Sequence, residues 1–291
     1  MDKVLSVGEA IERFVPEGAG LVAVGGMHLQ NNPMALVREM VRQYRHVTRL
    51  LTSPCGALNA DLLVAAGLVE QIATSYVGFE HLGLAPAFRR AVEAGVLRVL
   101  ECDEAYITHG LSAGAGGLPL VALPAGLEFA DVWKANTESY CLVTDPFTGR
   151  KVLAGAPLAP DVALLHAAAA DAAGNAVLAG AHFVDRSMAL AAKTVVLQVE
   201  RVVPTDQLSR QAVGTTIPGF LVQAVVEAPG GCHPTASHGH YRVDEAHLRR
   251  YLSLAASADG ALSYLEEFVR GVTEQDYLRS VQAGASVGGE L

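Results

Sequence analysis

The chain has 291 residues, half of them apolar, with 18% charged side chains, few aromatics and a formal net charge of −9. That acidity, with no Lys/Arg run, excludes a nucleic-acid surface, and no uninterrupted apolar stretch approaches the ~20 residues of a membrane span. The length suits one large α/β domain or two small ones, read as a single domain over 1–291, and the low charge favours a partner subunit to cover apolar surface. Cys55, Cys102, Cys141 and Cys232 show no CxxC spacing and suit reduced thiols in a cytoplasmic protein. The opening MDKVLSVGEAIERF reads as an amphipathic helix rather than a signal peptide.

Ser6 with Glu9 has the pattern of a capping box for a helix of about 8 residues, ended by Pro16 and Gly18. The apolar run at 21–24 suits a strand buried on both faces. Gly25-Gly26 ends it with a backbone free to adopt φ > 0 or to approach a ligand closely. Asn32 is the expected N-cap and Pro33 the first helical residue. Val37, Met40, Val41 and Tyr44 then give one apolar stripe. The unit is strand, glycine loop, helix. An exposed loop at the carboxyl end of a strand offers N–H groups to a developing negative charge. Its spacing matches neither GxGxxG nor a P-loop.

Strands are expected at 47–52, 71–77 and 96–100, with helices at 61–66 and 85–94 closed by Gly67 and Gly95. A turn-rich SPCGALN follows the first of these strands. This alternation implies parallel pairing with right-handed crossovers. Glu101, Asp103 and Glu104 then stand at a strand's carboxyl end, where a carboxylate can face the same crevice as the glycine loop. An acid there also fills a first helical turn, where the dipole favours negative charge. The small residues 112–116 allow close packing. Residues 125–150, with Trp133, Asn136, Tyr140 and Phe147, form an excursion that packs on a partner or shapes the mouth of the site.

Strands at 162–165, 177–178, 194–199 and 221–227 resume the alternation, with a turn at Gly174-Asn175 and a helix at 186–192. Helices at 244–257, 261–270 and 273–281 end the chain. His233, His238 and His240 follow Cys232, but no carboxylate or second cysteine lies at an interval that closes a tetrahedral site, so no metal is expected. His28, His109 and His166 suit structural roles, and no GxSxG elbow occurs.

Four stretches, in order, resemble the A (α) subunits of family I coenzyme A transferases, such as glutaconate CoA-transferase. They are VAVGGMHLQNNPMALV at 22–37, the acid-helix-AGAGGLP segment at 101–119, VERVVPTDQL at 199–208 and VVEAPGGCHPT at 225–235. The resemblance implies an open three-layer αβα sandwich with a mostly parallel sheet. It also implies a B (β) subunit, in an αβ dimer or a dimer of such dimers. The coenzyme A thioester is then substrate, exchanged with carboxylic acids, and no cofactor is permanently bound. The nucleophilic glutamate sits on the B subunit, where it passes through an acyl–glutamyl anhydride to a glutamyl–CoA thioester. Gly25 and Gly26 are expected beside the oxyanion, with Met27 where GGF is common. Met27, Asn31, Ser53, Tyr76, Ser112 and Gly114 are the expected substrate-binding residues. CDEAYITHGL also resembles the A subunits of CoA-thioester hydrolases that open a steroid ring, which makes Glu104 a catalytic base. HLQNNP at 28–33 lacks the basic residues of that hydrolase loop. A non-catalytic acyl-CoA-binding subunit is the third reading.

Overall fold

In the computed structural model, which describes residues 2–209 and 216–285, the first half alternates strand and helix. It runs α1 (Val7–Phe14), β1 (Ala19–Val24), α2 (Met34–Arg42), β2 (Val47–Thr52), β3 (Cys55–Gly56), α3 (Leu58–Ala65), β4 (Val69–Thr74), β5 (Tyr76–Val77), α4 (Pro86–Glu93), β6 (Arg98–Glu101) and α5 (Glu104–Ala115). A side unit follows with β7 (Val121–Ala122), α6 (Val132–Ala135), β8 (Tyr140–Thr144) and β9 (Lys151–Gly155). The second half comprises β10 (Val162–Ala170), β11 (Ala176–Val177), α7 (Asp185–Ala191), β12 (Thr194–Val202), α8 (Thr205–Ser209) and β13 (Ala224–Glu227). Helices α9 (Glu245–Leu254), α10 (Ala258–Leu265) and α11 (Glu274–Ala285) close it.

The main sheet has the order β13-β12-β10-β1-β2-β4-β6, all parallel, with β11 antiparallel on β10. Successive side chains of a strand point to opposite faces. Val22 and Val24 therefore enter one apolar layer with α1, α2, α3 and the C-terminal helices. Ala23, Leu51 and Leu100 enter the other, with α5 and α7. This is the expected αβα sandwich. The chain leaves β1 toward β2 on one side and returns as β10 on the other. The order thus reverses at β1, and the crevice outside its carboxyl end is the switch point where such sheets bind ligands. No helix among the described residues is long and apolar enough to cross a membrane.

The capping box of α1 forms, with Glu9 N–H donating to Ser6 Oγ at 3.2 Å and Ser6 N–H to Glu9 Oε2 at 3.0 Å. Gly67 adopts φ +72° just past α3. Other local expectations shift. Helix α2 begins at Met34, with Pro33 as an N-cap that makes no side-chain bond. Asn32 is instead buried, its amide donating to the His28 carbonyl at 2.8 Å, because the loop folds back under Gly26. The strand expected at 71–77 breaks at Ser75, where Tyr76 N–H turns to Thr74 Oγ1. Tyr76–Val77 then pairs with Cys55–Gly56 as a small parallel ribbon above the sheet. Helix α3 starts earlier than 61, since Asn59 Oδ1 accepts the Ala57 N–H at 2.9 Å. Strand β10 runs on through the alanines to Ala170. The excursion of 125–150 carries β8 of an antiparallel sheet, β7-β9-β8, whose other two strands flank it, with Phe129 and Phe147 exposed at 83% and 95%.

Candidate functional site

The crevice is bounded by four segments at the carboxyl edge of the sheet: the loop after β1, the β3–β5 ribbon, the turn at Glu80–Leu82 and the β6–α5 corner. Strand β6 lies three places from β1 in the sheet, about 14 Å at ~4.8 Å per strand. The ribbon bridges that gap. His28 N–H donates to the Cys55 carbonyl at 3.0 Å, which ties the first loop to it. Burial first, and then the charges of Glu104 and Glu80, push the Cys55 thiol above its ordinary range. Cys55, Glu80 and Glu104 therefore share one electrostatic neighbourhood.

The glycine corner is tied off within the chain. Gly25 N–H donates to the Leu164 carbonyl at 2.9 Å, and Met27 N–H to that of Gln30 at 2.9 Å. Gly26 N–H donates to the buried carboxylate of Asp185, at 3.1 and 3.2 Å to its two oxygens. His182 Nδ1 lies 2.8 Å from the same carboxylate. The carbonyls are equally engaged, Gly25 O by Asn59 Nδ2 at 3.0 Å and Gly26 O by Ser53 Oγ at 2.5 Å. This corrects the expectation of free N–H donors on an exposed loop. Gly25 and Gly26 are buried, and an anion of the protein already sits where an oxyanion was expected. The need for glycine is steric. A Cβ on Gly25 would meet Leu165 and Asp185, and one on Gly26, at φ +92°, would collide with Asn32.

The β6–α5 corner is the opposite case. Asp103 is the N-cap of α5, its carboxylate accepting the Ala105 N–H at 2.8 Å. Glu104 follows in the first turn and is exposed. Its carboxylate makes no hydrogen bond or ion pair among the described residues. Glu101 is exposed at the end of β6.

The expected substrate-binding residues divide. Met27 lines a cavity of about 360 Å³ together with His28, Glu80, His81 and Glu245. Tyr76 is half-buried, its ring 6.2 Å from that of His28. Ser53 is buried and holds the Gly26 carbonyl. Asn31 is also buried, and its amide donates to Ala179 O and Ala181 O at 3.1 and 3.0 Å, so it pins a neighbouring loop instead of facing ligand. Ser112 and Gly114 lie eight and ten residues along α5 from Glu104, roughly 12–15 Å at a helical rise of 1.5 Å. Ser112 Oγ bonds the Thr108 carbonyl at 3.0 Å, and Gly114 packs on the backbone of Leu158, so both belong to helix packing. Asp185, Asn59, Glu80 and Cys55 went unselected in the sequence. Asp185 is 159 residues from Gly26, and no local pattern links them.

The His233 loop closes differently from its spacing. Asp244 Oδ2 and the Tyr277 hydroxyl reach His233 Nε2 and Nδ1, at 3.1 and 2.7 Å, and His247 packs beside it. His166, Glu200 and Cys232 form a second buried group. There His166 Nδ1 faces Gln198 Nε2 at 3.1 Å and Nε2 faces Ser237 Oγ at 3.1 Å, while Tyr241 donates to Glu200 at 2.7 Å. Both sets read as hydrogen-bonded core.

Residues 4–228 match the family model described as coenzyme A transferase. The A-chain component of 3-oxoadipate CoA-transferase from Pseudomonas knackmussii is 33% identical, over 94% of this chain and 96% of that protein. The cholesterol ring-cleaving hydrolase IpdA subunit of Rhodococcus jostii is 32% identical, over 97% and 96%. An uncharacterised protein of Archaeoglobus fulgidus is 36% identical over 96% of this chain, which spans 62% of that protein's length. The crystal structure of glutaconate coenzyme A-transferase from Acidaminococcus fermentans superposes with a TM-score of 0.88 at 28% identity, covering 97% of this chain and 93% of that one.

Proposed function

The chain belongs to the coenzyme A transferase family, and from that premise we propose that it is the A (α) subunit of a heteromeric enzyme moving coenzyme A between carboxylic acids. A glutamate carboxylate of the B (β) subunit first attacks the thioester carbonyl, giving an acyl–glutamyl anhydride and the CoA thiolate. The thiolate then attacks the anhydride, releasing the first acid and leaving a glutamyl–CoA thioester, which a second acid reverses. This chain supplies the crevice wall at the switch point and holds no permanently bound cofactor; the complex works in the cytoplasm. The carrying observation is the near full-length likeness to transferase A subunits. The exposed Phe129 and Phe147 of the side unit support a partner that covers them.

The test is mass spectrometry of the assembled complex after incubation with candidate acyl-CoAs and borohydride. A reduced glutamyl residue on the partner chain is expected. Turnover without any such product would overturn the covalent route.

One observation favours a second reading. Glu104 presents an unpaired carboxylate at the crevice, and a ring-cleaving hydrolase subunit is as similar as its transferase counterpart. There Glu104 acts as general base toward water or a substrate carbon acid.

A further inference from the structure

The glycine corner leaves an acyl-CoA chemistry without the donors it was expected to supply. From Gly25 to His28 every backbone N–H ends on an acceptor of the chain itself: Leu164 O, Asp185, Gln30 O and Cys55 O in turn. The backbone of this loop therefore has no N–H left for the crevice, and a polar hydrogen from the loop has to come from a side chain.

His28 is placed to provide it. Its Nδ1 is buried and lies 3.2 Å from Glu80 Oε1, at an approach too bent for a hydrogen bond. The side chain is 27% exposed, and no described residue bonds Nε2, so the open edge of the ring carries that nitrogen. Catalytic hydrogen bonds are often long or bent before substrate arrives. Beside it, His81 spends Nε2 on Glu245 at 3.0 Å, and His182 spends both nitrogens on Asp185 and Ala179. His28 keeps one. Both members of the pair hold positive φ, +50° at His28 and +53° at Glu80, a region uncommon for residues other than glycine. Such outliers persist where surrounding structure enforces them, and they cluster at working sites. The ring also lines the 360 Å³ cavity and faces Tyr76.

We infer that His28, seated on Glu80, is the side chain that donates through Nε2–H to the thioester carbonyl oxygen as negative charge develops there. Glu80 is its positioning residue, its carboxylate standing 3.2 Å from Nδ1. The assignment rests on the acyl-CoA reading above, but it holds equally for transfer and for hydrolysis, since both polarise the same carbonyl.

The test uses the assembled complex and an acyl-CoA carrying ¹³C at the thioester carbonyl. In the infrared difference spectrum the bound wild-type carbonyl band shifts to lower frequency, and in His28→Gly most of that shift is lost. Glycine accepts the φ +50° backbone, so the variant removes the ring without straining the loop. His28→Gln, whose amide carries a donor, restores part of the shift, and Glu80→Gln weakens it. In turnover His28→Gly loses ~10²–10³-fold in kcat, the usual effect of an oxyanion donor, with KM changed less than threefold. A folded His28→Gly complex with an unshifted melt and the wild-type carbonyl band overturns the inference. An ester that is bound and polarised yet never passes its CoA overturns the transfer reading alone. Failure of acyl-CoA to bind the wild type at all overturns both.

Discussion

The two strand-to-helix corners at the carboxyl edge of the sheet look alike in sequence and differ in what they leave free. After β1, the N–H groups of Gly25, Gly26 and Met27 and the carbonyls of Gly25 and Gly26 are bound by residues from other segments and from the loop itself. After β6, Asp103 caps its helix and Glu104 keeps an unpartnered carboxylate. The backbone of the first corner is spent on holding the crevice open and leaves a side chain, His28, to act, whereas the second corner presents a carboxylate with no partner among the described residues. A strand–turn–helix pattern thus locates a site, while the number of polar atoms left over decides which corner can act in it.

The contrast breaks most severely through Gly26→Val. A side chain there collides with Asn32 and must adopt φ +92°, so the loss of stability is roughly 2–5 kcal/mol by strain and overpacking together. Denaturant unfolding measures it. A variant that melts like the wild type but has lost turnover would return the glycine backbone to direct catalysis.

Acid should loosen the same corner next. His166 belongs to the polar core behind it, bonded to Gln198 and Ser237, and burial, with His182 and His240 nearby, lowers its pKa from 6.5 to about 3. The unfolded ring takes a proton near 6.5, while the folded ring resists until about 3. Its contribution is therefore complete above 6.5 and is lost as pH falls toward 3, with a slope of up to ~1.4 kcal/mol per pH unit for one group. Unfolding curves between about pH 7 and 4 should show this fall, flattened in His166→Gln. An unflattened slope would move the acid sensitivity elsewhere.

The smallest structural effect belongs to the other corner. Glu104→Gln should change stability by less than ~0.5 kcal/mol, as exposed substitutions do. Transfer through a partner's glutamate predicts a loss in turnover of about tenfold, whereas a hydrolytic base predicts ~10²–10⁴. Normal turnover would reduce Glu104 to a first-turn acid.

Much of the layout was legible in the chain itself. The buried run at 21–24, the left-handed Gly67 and Gly95, the Ser6–Glu9 box and the strand at 47–52 all stand where local pattern put them. Such features depend on contacts a few residues apart, on backbone freedom at glycine and on the two-residue period of a buried strand. Misplacements fell where a distant group overruled a local one: Asn32 was drawn under the loop, Tyr76 pulled off the main sheet, and Asn31 spent on residues 179 and 181.

By itself, then, the sequence determined alternating strands and helices of a parallel α/β sheet and the edge on which the crevice opens, because periodicity and glycine placement are local and survive without knowledge of neighbours. The family and the sandwich were implied by the resemblance of four ordered stretches. Only the tertiary structure decided which polar atoms at that edge remain unspent. Asp185 reaches Gly26 across 159 residues, Glu80 meets His28 across a ribbon, and the Glu104 carboxylate makes no hydrogen bond or ion pair among the described residues. Hydrogen bonds are short and directional, and whether a donor is free depends on every chain segment folded within about 3 Å of it.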